Sequence, residues 1–305
     1  MQAIIASEPG AGVGGLRRAE RPSPAPAIND VLVRVGAAGF VATELDWPST
    51  WVDRAGRDRA PAIPGHEVAG TVEALGYGAT GLTVGQRVVG ITDWHRDGAL
   101  AEFVAVEVRN LAPLPGDIEF ATAASLPISG LTAWQALVDH GRLASGQSVL
   151  VHGAAGAVGT MATQLARELG AHVIGAGRAA DRDKALDYGA HEFVDLAGGE
   201  LEEVGAVDLV VDLIGGDVQR RSAALVRAGG ALVSAVGPVE HRPADGRVVD
   251  FVVESAPAQL ARILERVRDG RLRPNIARVV PFDEAIAAVN APGRLTGKTV
   301  VLAPA

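Results

Sequence analysis

One run constrains this chain more than any other: Val149-Leu150-Val151-His152-Gly153-Ala154-Ala155-Gly156-Ala157-Val158-Gly159. Residues of strand type lead into three glycines spaced three apart, and helical spacing follows. Strand, glycine turn and helix together open a βαβ unit of the kind that holds a dinucleotide. Gly153 permits the tight turn, Gly156 lets the backbone approach a pyrophosphate, and Gly159 lets the helix pack close to the strand. The phosphates then rest at the N-terminus of a helix predicted over Gly156–Leu169, where free N–H groups and the helix dipole favour an anion. Gly153, Ala154, Ala155, Gly156, Ala157, Val158 and Gly159 are therefore the expected cofactor loop. With 38 glycines in the chain, three in one turn can also arise without a ligand, and it is the strand–helix context that argues against this.

The surrounding pattern supplies that context. Strands are predicted at Ser148–His152, His172–Gly175, Glu192–Val194, Val207–Leu213 and Ala231–Ala235, with helices at Asp181–Tyr188 and Asp217–Arg227 between them. Apolar runs without polar alternation belong to a parallel sheet covered on both faces. The fold class expected is α/β, with a doubly wound parallel sheet. A further helix is read at Pro127–Leu143 and another at Ala258–Arg268, and the segment Asn275–Ala303 returns to strand, helix, strand.

The second strand speaks to the dinucleotide. NAD-binding chains place an acid near its end to take the ribose 2′-hydroxyl; here the run Val173-Ile174-Gly175-Ala176-Gly177-Arg178 puts Gly177 at the tip. No carboxylate stands there to repel a 2′-phosphate. Arg178 follows at once and Arg182 a turn later, and a guanidinium suits phosphate geometry. The cofactor expected is NADPH, although both arginines also read as solvated surface charges.

Before residue 120 the texture is different: short strands at Gln2–Ala6, Val31–Ala38, Val68–Ala74 and Arg87–Ile91, punctuated by Pro64-Gly65 and Gly76-Tyr77-Gly78. A length of 305 residues suits two domains. The net charge of −8 argues against a nucleic-acid partner. No apolar run approaches the roughly 20 residues of a membrane span, and the start of the chain does not read as a signal peptide. The absence of cysteine removes disulfides and thiolate metal sites and fits a cytoplasmic location.

Taken in order, Pro64-Gly65-His66-Glu67-Val68-Ala69-Gly70, Gly85-Gln86-Arg87-Val88 and the glycine loop resemble the medium-chain dehydrogenase/reductase superfamily, and most of all its zinc-free quinone oxidoreductase and enoyl reductase branch. The resemblance covers nearly the whole chain. It implies a GroES-like, β-rich catalytic domain built from residues 1–122 and 269–305, a Rossmann domain over 123–268, an active cleft where they meet, and a homodimer. It also implies cofactor-lining roles for Thr132, Ile214, Val236, Gly237, Phe251 and Val252, and a catalytic place for His66.

The resemblance bears on the metal as well. Where related alcohol dehydrogenases carry ligand cysteines, this chain has Val41 and, further on, Ile128. His66 and Glu67 remain, and two ligands fall short of the three that a catalytic zinc takes from protein. No metal is expected. His66 has two readings: a packed, hydrogen-bonded histidine with Glu67 paired to a cation beside it, or a proton relay near neutral pH. Gly297-Lys298 reads as a surface lysine, or as a cofactor contact.

Three of the four tryptophans lie in Glu44-Leu45-Asp46-Trp47-Pro48-Ser49-Thr50-Trp51 and Asp93-Trp94-His95. Trp47, Trp51, Trp94 and His95 form the expected substrate wall, with Glu44 and Asp46 as candidate catalytic carboxylates, and a flat, apolar small molecule with a polar end would suit them. The other reading has the indoles simply anchoring their loop. The function expected is hydride transfer from NADPH to a quinone or activated alkene; a carbonyl reductase and a non-catalytic NADPH-binding protein are the alternatives.

Overall fold

The computed structural model of the chain describes residues 1–293 and 296–304. It divides into two compact units: Met1–Pro127 with Ser255–Arg271 and Ile276–Ala305, and Ile128–Glu254 with Leu272–Asn275.

Seven strands of the first unit precede the second: β1 (Gln2–Ala6), β2 (Leu16–Glu20), β3 (Asp30–Phe40), β4 (Glu67–Leu75), β5 (Arg87–Ile91), β6 (Phe103–Glu107) and β7 (Leu111–Pro113). β1 and β2 form an antiparallel ribbon. The long β3 runs antiparallel to β4 from Val31↔Leu75 to Gly39↔Glu67, with two bulges that bend it. Sheet pairing continues through β5 to β7, while β6 pairs with residues 30–34 of β3. Alternation decides the faces: Val31, Val33 and Val35 of β3 turn into a core shared with Val68, Val88 and Val104.

The second unit holds six strands, β8 (Ser148–His152), β9 (His172–Gly177), β10 (Glu192–Asp195), β11 (Val207–Asp212), β12 (Val226–Ser234) and β13 (Gly246–Asp250), all parallel, in the order β10-β9-β8-β11-β12-β13. β8 is buried through residues 149–152, as a central strand covered on both faces must be. The chain then returns to the first unit with β14 (Ile276–Val280) and β15 (Lys298–Leu302); β15 lies antiparallel on β3, Thr299 opposite Phe40.

Several elements differ from the sequence reading. The helix expected at Asp217–Arg227 is Gly216–Ala223, because the apolar Leu225-Val226 pair is buried and Val226 already starts β12. The stretch read as one helix to Leu143 is α-helical over Pro127–Trp134 and widens to a π-turn over Gln135–His140. The helix Pro257–Arg268 packs on β7 and so lies with the first unit, where the sequence reading placed it with the parallel sheet. No helix among the described residues is long and apolar enough to cross a membrane.

Candidate functional site

In the second unit the glycine run does what its spacing demands. Gly153 takes φ 60°, the left-handed turn out of β8, and Gly156 is the N-cap of the helix Ala157–Glu168. A Cβ at Gly159 would lie 2.1 Å from the Gly153 carbonyl oxygen, so only glycine lets helix and turn approach this closely. The first-turn amides of Ala157, Val158 and Gly159 have no acceptor inside the helix, and no acid shares that turn. Ala154 and Ala155 are buried beneath the loop. Beside it runs a row of aliphatic side chains at strand ends: a Cβ on Gly153 would come 3.8 Å from Ile214, and one on Gly215 would come 3.4 Å from Val236. Ile214 is 44% exposed, Val236 49% and Val252 73%, an unusual outlay of apolar surface at the carboxyl edge of a parallel sheet. Gly237 follows Val236 at φ 136°. Phe251 packs its ring on His140 at 4.6 Å, and Thr132 is buried in the helix Pro127–Trp134. Open first-turn amides, a backbone cradle that a side chain would fill and exposed aliphatics beside it fit a dinucleotide.

At the tip of β9, Gly177 is buried. Arg178 grips Asp181 through Nε at 2.7 Å and Nη2 at 3.0 Å. Arg182 donates to the Phe193 carbonyl oxygen at 3.1 Å with its guanidinium over the Phe193 ring.

Sequence reasoning missed the polar cluster beneath this edge. Asp212, at the end of β11, is wholly buried and accepts from His152 Nδ1 at 2.9 Å, Gln219 Nε2 at 2.8 Å, Ser234 Oγ at 2.9 Å and the amides of Ile214 and Gly215. His152 Nε2 meets Ser222 Oγ at 2.8 Å. Burial alone would raise the Asp212 pKa; the hydrogen bond and charge of His152, with the Gly215 amide and Gln219, more than reverse this and hold the carboxyl well below the usual range. The cluster thereby ties the end of β8, just before the glycine turn, to the turn that presents Ile214.

In the first unit the structure brings Trp47, His66 and Trp94 together. Trp47 and Trp94 meet edge to face at 5.3 Å, Trp94 meets His66 at 5.2 Å, and Trp47 lies over His66 at 6.3 Å. Both indoles are half-buried. His66 Nδ1 is within 2.7 Å of Thr92 Oγ1, and burial, helped by the Arg59 charge, pushes the imidazole down to about 3. A ring that stays neutral at ordinary pH is no relay of the kind that changes charge near neutrality. Asp93 takes Arg54 at 2.6 Å and the His95 amide at 2.8 Å; the His95 ring stands 3.7 Å off and partly exposed. Trp51 does not join the box. It is buried in the core with Nε1 donating to the Leu45 carbonyl oxygen, so it anchors the loop and offers no face to a ligand.

The two candidate carboxylates part company. Asp46 is exposed, whereas Glu44 is wholly buried, accepting from Val41 N–H at 3.2 Å and Gly65 N–H at 2.8 Å. Burial, with Glu67 close by, pushes Glu44 up to about 8. Glu44 thus ties the Val41 and Gly65 backbone together from within the core. Lys298 is also corrected: at 3% exposure it is no surface lysine, and its Nζ sits 2.5 Å from buried Glu67. Ile128 and Val41 carry no ligand atom, and among the described residues no group of three or more His, Asp or Glu could hold a metal ion.

Comparison with known proteins agrees with this architecture. Residues 27–116 match the alcohol dehydrogenase GroES-like domain and residues 181–301 the zinc-binding dehydrogenase domain. The chain is 34% identical over 262 residues to the spectinabilin polyketide synthase system protein NorB of Streptomyces orinoci, which takes in 79% of this chain and 12% of that protein. It is 32% identical over 304 residues to 2-methylene-furan-3-one reductase of Solanum lycopersicum, covering 90% of this chain and 71% of the relative. The solved quinone oxidoreductase of Coxiella burnetii is 26% identical, with 99% of both chains superposed at a TM-score of 0.89.

Proposed function

Since the chain belongs to the medium-chain dehydrogenase/reductase superfamily, in its quinone oxidoreductase-like branch, we propose that it is an NADPH-dependent oxidoreductase which reduces quinones or activated alkenes without a metal ion. The observation that carries this reading is the cluster of Trp47, His66 and Trp94, two half-buried indoles set edge to face over a buried, neutral imidazole. Flat conjugated acceptors match such aromatic faces. The tomato relative's name specifies a furanone bearing a methylene group, itself an activated alkene.

The cofactor is held by the amides at 157–159 and the edge formed by Ile214 and Val236, with Arg178 favouring the 2′-phosphate that Gly177 does not repel. Bound there, a reduced nicotinamide supplies hydride. With an enone, that hydride would be taken by the β-carbon as the π electron pair moves to the carbonyl oxygen, and water would give the proton for the second C–H bond, leaving hydroxide. His66, held at Nδ1 by Thr92, contributes orientation and polarity rather than a titrating proton. Alcohol oxidation instead asks for a group that removes the hydroxyl proton, and among the described residues neither a three-ligand metal set nor His66, held neutral by burial, supports it.

A paired assay in the presence of chelator tests this: NADPH consumption with a quinone and an enone, against NADP reduction with primary and secondary alcohols. Acceptor reduction is expected, with kcat/KM showing no inflection from His66 between about pH 5 and 8. Robust alcohol turnover with silence on both acceptors refutes the assignment. An inflection in that window that disappears in His66→Gln revives the relay.

A further inference from the structure

The strand tip where a dinucleotide's ribose would lie carries no acid of its own, since β9 ends at Gly177. The chain then makes a single tight turn over Ala179–Asp181, with Asp181 N–H on the Arg178 carbonyl oxygen at 2.8 Å. That turn folds residue 181 back over the strand end. A Cβ added at Gly177 would lie 3.8 Å from the Cβ of Asp181. The Asp181 side chain therefore starts in van der Waals contact with the place where a side chain at position 177 would start, and brings a carboxylate to the strand end from four residues on. It is 15% exposed, while Arg178 is 52% exposed and spans it with a two-point grip, Nε to Oδ2 and Nη2 to Oδ1. The hydrogen bond from Arg178 keeps the Asp181 carboxyl below its usual range, so it is ionised under working conditions.

These contacts work against each other. The Nε and Nη2 side of the Arg178 guanidinium faces Asp181, so Arg178 and the carboxylate meet an incoming phosphate together. A phosphate drawn to Arg178 comes within a few ångströms of a fixed carboxylate, and like charges at that distance repel even in a watery setting. A ribose 2′-hydroxyl meets no such repulsion and finds in the same carboxylate an acceptor, the arrangement by which NAD-binding chains take that hydroxyl.

We propose that Asp181 sets the nucleotide preference of this chain: it stands in for the acid missing at Gly177, accepts the 2′-hydroxyl of NADH, and restrains the binding of NADPH by engaging Arg178. The inference rests on the reading that this unit binds a nicotinamide dinucleotide. It makes the preference for NADPH modest and both cofactors usable.

The test is calorimetric titration of the full chain, wild type, Asp181→Asn, Asp181→Ser and Arg178→Ala, with NADPH, NADH, adenosine 2′,5′-bisphosphate and adenosine 5′-monophosphate. Both Asp181 variants should bind NADPH and the bisphosphate at least about fivefold more tightly than wild type, from loss of the like charge, and should bind NADH no better or more weakly. Arg178→Ala should lose affinity for the two 2′-phosphorylated ligands alone. Weaker NADPH binding in Asp181→Asn would mean that the carboxylate orients Arg178 for the phosphate, and overturns the proposal; so does an unchanged ratio of the two cofactors. A wild type that favours NADH, with Asp181→Asn still moving the ratio toward NADPH, sinks the NADPH assignment and leaves the role of Asp181 standing. Failure of every ligand to bind the folded wild type sinks both.

Discussion

Asp212 in the parallel unit and Glu44 in the antiparallel one are both wholly buried carboxyl groups, and they end in opposite states. Asp212 collects five donors from a histidine, a glutamine, a serine and two amides, and stays a carboxylate. Glu44 has two amides for company and a second acid, Glu67, nearby, so its proton stays on until about pH 8. Burial is common to both; what differs is the number of donors and the sign of the neighbour. In the antiparallel unit buried Glu67 is met by a lysine from the far end of the chain, whereas buried Asp212 is met by a histidine and by neutral donors.

That difference is breakable. Lys298→Met should be the most damaging substitution, costing about 3–5 kcal/mol by leaving Glu67 buried without its ammonium. Denaturant unfolding measures it, and adding Glu67→Gln should recover much of the loss. A cost below about 1 kcal/mol, in the range of exposed pairs, would place the pair outside the set of buried charges that matter.

Asp212→Asn comes next, at about 3 kcal/mol, since the amide keeps one acceptor oxygen and turns an N–H₂ toward groups that donate. Its pH dependence follows from the depressed pKa: the stabilisation is complete above the unfolded carboxyl value near 4 and fades only as pH falls from there toward the folded value. Unfolding curves of the two proteins should therefore stay equally far apart from neutrality down to about pH 5 and converge in stronger acid. A gap that changes around neutrality would mean the charge at Asp212 is not what the donors hold.

For Glu44 the sign is reversed. A carboxyl whose folded pKa is raised gives its full contribution below the unfolded value and loses it as pH climbs toward about 8. Wild type should lose about 2 kcal/mol more than Glu44→Gln between pH 6 and 8. Parallel stability profiles would show Glu44 ionised in the folded chain, and the contrast with Asp212 would collapse.

How much of this the sequence disclosed depends on whether the information was local. The glycine loop was legible because turn, cap and close approach are backbone requirements met within seven residues, and β8 to β12 were legible from unbroken apolar runs. Glu67 was expected to pair with a cation, yet Lys298 was read as surface because nothing local says that β15 lays it across from the end of β3. His152, Asp212, Ser234 and the pair Gln219 and Ser222 come from four separate elements, and only sheet order assembles them. β2 was missed because Arg17 and Arg18 face solvent, and β13 because an edge strand with half-exposed valines carries no clear alternation. Trp51 and Trp47 looked equivalent in sequence; one four-residue helical turn sends the first into the core and leaves the second half-buried.

The antiparallel sheet also has a clock. On the edge of β3 away from β4, residues 37–40 find their neighbour only in β15, and almost the whole parallel unit is encoded between the two. At a synthesis rate of about 5–20 residues per second, β3 waits on the order of ten to fifty seconds for that partner. During the wait its edge presents unpaired amides and carbonyls to any passing strand, and Glu67 is without the ammonium of Lys298. The interval in which a nascent chain of this design is open to wrong pairing is thus set by how long the intervening unit takes to make, whatever the final stability of either sheet.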